Sequence, residues 1–177
     1  PVARILLHGP PGTGKTQYVR HLAESMDLPL IEVGGSDLLD PYIGGTEQKI
    51  MDVFKKAARE EGVLLIDEAD SLFWSRKSAT RSWEASAVNE LLRQTQEFGG
   101  ILFASSNMLS RFDNASIRRF DLKIKFDYMT NDQVIQMTKK LINVYGGRVR
   151  RKKIDVLTLR ISKLKNLFIR KKGFMLL

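Results

Sequence analysis

The stretch Ala3-Arg4-Ile5-Leu6-Leu7-His8-Gly9-Pro10-Pro11-Gly12-Thr13-Gly14-Lys15-Thr16 decides how the rest of the chain is read. Residues 3–8 form a short apolar run. Val19, Leu22, Ala23 and Met26 follow at the i, i+3, i+4, i+7 spacing of one helix face. The glycine-rich segment therefore lies between a strand and a helix, and it fits the pattern GxxxxGKT that needs this context. Its glycines let successive backbone N–H groups turn toward an anion, and the start of the helix adds partial positive charge. Lys15 is expected to reach the β and γ phosphates of a nucleoside triphosphate, with the Thr16 hydroxyl ligating Mg²⁺. Gly9, Pro10, Pro11, Gly12, Thr13, Gly14, Lys15 and Thr16 are thus the candidate nucleotide-binding residues.

Working outward, the same alternation of element types repeats. Residues 30–33 form a second apolar run closed by Gly34 and Gly35; Ile50, Val53, Phe54, Ala57 and Ala58 then repeat the helical spacing, with Thr46 placed as the N-cap. Residues 63–66 are continuously apolar, as a parallel strand covered on both faces is. Val88, Leu91, Leu92, Thr95 and Phe98 mark a further helix, residues 101–104 a fourth strand, and the alternating stretch 121–126 a partly exposed fifth. Strands alternating with helices predict a three-layer α/β fold with a mainly parallel five-stranded sheet, binding its ligand at the carboxyl ends of the strands; with GxxxxGKT after the first strand, the expectation is a P-loop NTPase.

Two carboxylates end the third strand. Val63-Leu64-Leu65-Ile66-Asp67-Glu68 is the Walker B pattern: Asp67 is expected to hold Mg²⁺ directly or through water, leaving Glu68 to polarise the water that attacks the γ phosphate. Asn107 ends the fourth strand, where its amide can reach that water or the γ phosphate. As a residue type alone, an Asn ending a strand is more often just a turn former. Arg118 and Arg119 lie in the stretch 114–121, and as bare residues they read as surface or salt-bridge arginines.

The chain resembles the AAA+ ATPases, and specifically the AAA family with its second region of homology. The residues that carry the resemblance are GPPGTGKT (9–16), VLLIDEAD (63–70), ILFASSN (101–107) and SIRRFD (116–121), in this order, over roughly residues 2–145. The adjacent arginines, with no intervening Pro-Gly, are similar to the arrangement in katanin and spastin relatives. The resemblance implies that Asn107 is the sensor 1 residue and that Arg118 and Arg119 are arginine fingers reaching a neighbouring subunit's nucleotide. It also implies a homo-oligomeric, usually hexameric ring and places Tyr42, Ile43 and Gly44 on the pore loop that grips a polypeptide. Pro41 departs from the small or basic residue of several relatives. The expected module hydrolyses ATP, with Lys15, Glu68, Asn107, Arg118 and Arg119 as its catalytic set and ATP and Mg²⁺ as its cofactors. Its expected work is remodelling or unfolding a protein substrate in the cytoplasm. The alternatives are a nucleic-acid machine of clamp-loader or initiator type, and a nucleotide-binding switch with little turnover.

Composition narrows the classes. By the rule of about 100–200 residues per domain, 177 residues make one domain, or one and part of a second. Cys is absent, which excludes disulfide scaffolds and thiolate sites, and two histidines, His8 and His21, are too few for most zinc sites. No apolar run approaches the ~20 residues of a membrane span. A start at Pro1 followed at once by a strand reads as a fragment lacking its upstream part, which leaves a leader segment open. The net charge of +9 is local: residues 1–145 carry 18 Lys+Arg against 19 Asp+Glu, and residues 146–177 carry 11 against 1. No basic groove is implied in the core.

The strand pattern stops after residue 127, so the core is expected over 1–127 and a partial or altered helical lid over 128–177. Thr130 with Gln133 reads as a capping box for a helix carrying Val134, Met137, Leu141, Ile142 and Tyr145. Ile154, Leu157, Ile161, Leu164 and Phe168 suggest a last helix with a basic outer face, and no arginine there can be named as sensor 2. Such a face suits a solvated lid helix, or contact with nucleic acid or an anionic membrane. The polar stretch 74–82, flanked by Trp83, reads as a solvated loop or a second channel loop. Asp67-Glu68-Ala69-Asp70 and Ser78-Ala79-Thr80 also spell two helicase motifs. Their spacing is wrong for helicases, which need two such domains.

Overall fold

The computed structural model describes residues 2–77 and 82–145. Five strands, β1 (Ala3–His8), β2 (Leu30–Gly34), β3 (Val63–Asp67), β4 (Ile101–Ser106) and β5 (Leu122–Lys125), form one sheet in the order β2-β3-β4-β1-β5. Every pairing is parallel, with Ala3 opposite Ile101 and Gly34 opposite Asp67. The expected "mainly parallel" sheet is therefore wholly parallel. Helices α1 (Lys15–Ser25), α2 (Gly45–Arg59), α3 (Asp70–Lys77), α4 (Ser82–Glu97) and α5 (Asn114–Ile117) connect the strands.

Side chains on successive strand residues point to opposite faces, so each central strand feeds two cores. Leu7, Val63, Leu65 and Phe103 pack on one face with Val19 and Ala23 of α1. Leu6, Leu64, Ile66, Leu102 and Ala104 pack on the other with Ile50, Phe54 and Ala57 of α2, Leu72 and Phe73 of α3, and Val88, Leu91 and Leu92 of α4. This double coverage explains why 63–66 and 101–104 read as unbroken apolar runs. It also fixes the site: β1 lies beside β4, but the chain leaving β1 crosses to β2 at the sheet's far edge. The turn after β1 thus opens a crevice over the carboxyl ends of β3 and β4.

Several local expectations change. Thr46 is not the N-cap of α2; that place falls to Gly44 at φ +84°, and Thr46 is buried in the first turn, its hydroxyl accepting the Asp40 N–H at 2.9 Å. Two residues past the N-cap, the threonine hydroxyl meets a donor in the preceding loop instead. The expected loop 74–82 is helical on both sides of the undescribed residues 78–81, with 74–77 ending α3 and Ser82 opening α4, so that Ser78, Ala79 and Thr80 lie outside the described residues. Strand β5 is shorter than 121–126.

The chain divides between Asp127 and Tyr128 into two compact units. In the second, α6 (Asn131–Tyr145) opens with the expected capping box: Thr130 N–H donates to Gln133 Oε1 at 2.8 Å and Gln133 N–H to Thr130 Oγ1 at 3.3 Å. The basic tail 146–177, with its expected last helix, lies outside the described residues.

Leu64 is fully buried on β3. Leu64→Ala should cost about 2–5 kcal/mol, lowering the urea midpoint; an unchanged midpoint would show that β3 does not belong to the core its packing indicates.

Candidate nucleotide site

The turn after β1 is built around a buried cation. Lys15 is 6% exposed, and its ammonium uses all three donors, to Gly9 O at 2.8 Å, Pro10 O at 3.0 Å and Asn107 Oδ1 at 2.8 Å. Burial lowers its pKa, opposed by the carboxylates of Asp67, Asp70 and Glu68. Thr13 Oγ1 donates back to Pro10 O at 2.8 Å and closes the loop. Gly9, at φ +147°, cannot carry a side chain, because a Cβ there would stand 2.0 Å from Phe126 O. Gly14 adopts φ +91° as the N-cap of α1 and leaves the first-turn amides without a side-chain cap. Those amides face the cleft as donors for an anion.

Across the cleft, Thr16 Oγ1 donates to Asp67 Oδ2 at 2.7 Å. Asp67 Oδ1 accepts from Ser105 Oγ in a close contact and from Glu68 N–H at 3.1 Å. Glu68 takes φ +50°, a left-handed conformation that costs a non-glycine residue about 1–3 kcal/mol. Its N–H also meets Ser105 Oγ at 3.1 Å, and Asn107 Nδ2 stands 3.5 Å from its Oε1. Pro11, Lys15, Thr16, Asp67, Glu68 and Asn107 line a cleft of about 500 Å³, within the range of small-molecule sites. A second hollow of about 460 Å³ at the other end of the strands has Glu61 as its only ionisable residue and lacks this convergence.

The residues present fit a nucleotide with Mg²⁺. Among the described residues no three His, Cys, Asp or Glu side chains gather to hold a metal by themselves. One hydroxyl and one carboxylate suit instead a hard ion that takes further oxygens from phosphates and water.

The structure thus brings Lys15, Thr16, Asp67, Glu68 and Asn107 together. It places Arg118 and Arg119 elsewhere: they follow α5, whose N-cap Asp113 accepts the Ser116 N–H at 2.6 Å, and neither lines the cleft. Tyr42 and Ile43 also stand apart, 80% and 83% exposed between β2 and α2. Their loop is anchored at its base by Asp40, which accepts the Tyr42 N–H at 3.0 Å and pairs with Lys49 at 3.0 Å. Those two contacts, the Tyr42 amide first, hold the Asp40 carboxyl below its usual pKa.

Sequence reasoning missed five contributors. Ser105 bridges Asp67 and Glu68. Asp70, nearly buried, pairs with Arg111 at 2.9 Å and accepts the Asn107 N–H at 3.3 Å, tying the start of α3 to the segment after β4. Arg20 and Glu32 form an ion pair on the cleft wall. Asp70 was visible within the acidic cluster after β3; its partner, 41 residues away, was not.

The family described as "ATPase family associated with various cellular activities (AAA)" matches residues 5–128. The chain belongs to the AAA ATPase family. It is 29% identical over 150 residues to the ATP-dependent zinc metalloprotease FtsH of Ureaplasma parvum, a match covering 79% of this chain and 21% of the relative. With proteasome-activating nucleotidase 2 of Halobacterium salinarum it shares 30% identity over 159 residues, covering 84% and 38%. With the human ATP-dependent zinc metalloprotease YME1L1 it shares 35% over 128 residues, covering 68% and 17%. This AAA module therefore spans well under half of these relatives. The solved FIGL-1 AAA domain in complex with ADP has a TM-score of 0.69 at 22% identity, covering 87% of this chain and 53% of that one, which shows the shared fold. Among the described residues no helix is long and apolar enough to cross a membrane.

His8 ends β1 just before the turn. Burial lowers its pKa below 6.5, with Lys125 and then Lys15 adding repulsion. The fold resists a proton that the unfolded chain accepts, so the stability His8 contributes is complete above pH 6.5 and is lost as pH falls through its lowered folded value. Between about pH 7.5 and about pH 5.5 the thermal midpoint should fall further in the wild type than in His8→Gln. Equal falls would contradict a neutral, desolvated His8.

Proposed function

We propose that this AAA ATPase module binds ATP with Mg²⁺ in the cleft after β1 and hydrolyses it at an interface between copies of the chain. The observation that carries the reading is the convergence of Lys15, Thr16, Asp67, Glu68 and Asn107 on one cleft. First-turn amides of α1 and Lys15 bind the phosphates, Lys15 exchanging a carbonyl for a phosphate oxygen. Thr16 and Asp67 hold Mg²⁺, which supplies charge neutralisation on the phosphate oxygens. Glu68 accepts a proton from the attacking water as the bond between the γ phosphorus and the bridging oxygen breaks, releasing ADP and phosphate. Asn107, within 3.5 Å of the Glu68 carboxylate, orients that water.

Arg118 and Arg119 support an oligomeric reading. No side-chain hydrogen bond or ion pair engages either guanidinium among the described residues, and neither reaches its own chain's cleft. In a ring, probed as a hexamer, they would stabilise transition-state charge on the neighbour's nucleotide. Tyr42 and Ile43, exposed on a loop anchored by Asp40, are the grip on a polypeptide substrate, and remodelling of a cytoplasmic protein is the work assigned. The names of the relatives, an ATP-dependent protease and a proteasome-activating nucleotidase, support this direction. A nucleic-acid machine is favoured only by the charge of 146–177; binding of duplex DNA at physiological salt, lost on removing that segment, would support it.

Steady-state phosphate release and nucleotide binding test the roles. Lys15→Ala should lose ATP binding, whereas Glu68→Gln should keep it while turnover drops about 10²–10⁴-fold. Mixing Arg118→Ala/Arg119→Ala chains with Glu68→Gln chains should restore turnover. Wild-type turnover in Glu68→Gln would remove that residue from its role, and no recovery on mixing would contradict action between copies.

A further inference from the structure

Helix α1 is tied to the sheet twice on the side that lines the cleft. Thr16 bonds Asp67 on β3, and one helical turn later Arg20 grips Glu32 on β2 through two bonds, Nε to Oε2 at 2.9 Å and Nη2 to Oε1 at 2.7 Å. The register sets Glu32 opposite Leu65, two residues before Asp67, so strand alternation puts Glu32 and Asp67 on the same face of the sheet. All four residues line the same cleft.

Stability is only part of what the Arg20–Glu32 pair can supply: its geometry is bidentate, but its side chains are 51% and 31% exposed, which keeps its contribution to folding modest. Position is the more telling property. A guanidinium is a permanent cation whose planar fork matches a carboxylate bidentately. Here it stands on the wall of a site whose hydroxyl and carboxylate oxygens suit a divalent cation. Arg20 lies one helical turn after Thr16, whose hydroxyl bonds Asp67, and it lines the same cleft as that carboxylate; Glu32 chiefly, and Asp67 in addition, raise its pKa. Released from Glu32, Arg20 has Asp67 as a second carboxylate on this face, and an arginine seated there would oppose Mg²⁺ both by occupying its oxygens and by charge repulsion.

We propose that Glu32 holds the Arg20 guanidinium away from Asp67, so that the Asp67 oxygens accept only from the uncharged donors of Thr16, Ser105 and Glu68 and stay open to Mg²⁺. Both act as positioning residues, touching neither phosphate nor metal, and the inference rests on the nucleotide reading above.

The test is the Mg²⁺ dependence of nucleotide binding, independent of turnover. The full chain is titrated by fluorescence with a methylanthraniloyl-labelled, non-hydrolysable ATP analogue, once in Mg²⁺ and once in EDTA. Glu32→Gln is expected to leave the affinity in EDTA no weaker than in the wild type and to reduce the strengthening by Mg²⁺ on the order of fivefold, the scale of one exposed charge pair. Removing the cation as well, in Arg20→Gln/Glu32→Gln, should restore the wild-type Mg²⁺ response. Arg20→Gln alone should keep at least that response, which preserves the test if Glu32→Gln does not fold. A wild-type Mg²⁺ response in Glu32→Gln overturns the proposal. So does an equal loss in Arg20→Gln, the result expected of a pair that only packs α1 on the sheet. A wild-type chain that binds no labelled nucleotide in either medium contradicts the nucleotide reading itself, and the role of Glu32 falls with it.

Discussion

One buried ammonium organises the site. Lys15 comes from the first residue of α1, and its three bonds reach two carbonyls of the preceding turn and the amide of Asn107 at the end of β4. A buried cation is tolerated only when its donors are satisfied, so the turn must fold back over the ammonium and Asn107 must sit beside it. Satisfying Lys15 thus shapes the turn and holds the Asn107 side chain beside it, just past the β1–β4 ladder that ends with His8 opposite Ser106. Thr16, the next residue, carries the same constraint to β3 through Asp67. The proposed phosphate and metal contacts come from groups that already hold the turn together, so ligand binding exchanges existing polar partners for phosphate oxygens.

The polar ends of the central strands are affordable because their bodies are not polar. β3 and β4 are buried on both faces, and polar side chains appear only where the strands run out at Asp67, Ser105, Ser106 and Asn107. Glu68 accepts a left-handed backbone at that point, held by Ser105 and by the bond from Ser71 N–H to its carbonyl at 3.0 Å. Strain of this kind persists where the surroundings fix it. The residues proposed to act outside the cleft follow a different rule: Tyr42, Ile43 and Arg118 are exposed, on segments anchored by Asp40 in the one case and by Asp113 with the core residues Ile117 and Phe120 in the other. That division suits the proposed roles, with chemistry on a rigid sheet and contact with a substrate or a neighbouring copy at the rim.

Much of the fold was legible because burial leaves a linear trace. Two-sided burial makes β3 and β4 continuous apolar runs, and α1, α2 and α4 show one apolar face at helical spacing. Where the trace is weak the reading failed. The residues of α3 after Phe73 are polar enough to pass for a loop, and Thr46 looked like a cap because nothing in the sequence announces the Asp40 N–H as its donor. In the site, residues of one motif were readable from spacing alone, as Lys15, Thr16, Asp67 and Glu68 show. Pairs formed across the fold were not: Asp70 with Arg111 and Arg20 with Glu32 join elements whose adjacency only the strand order creates. The rotation of Asn107 toward Lys15 belongs to the same class.

The most direct measurement is nitrogen–proton correlation NMR of the chain titrated with Mg²⁺ and a non-hydrolysable ATP analogue. The account predicts saturable shifts centred on the amides of Gly12, Gly14, Lys15, Thr16, Glu68 and Asn107, absent in Lys15→Ala. Shifts that spare these amides, or that persist unchanged in Lys15→Ala, would contradict it.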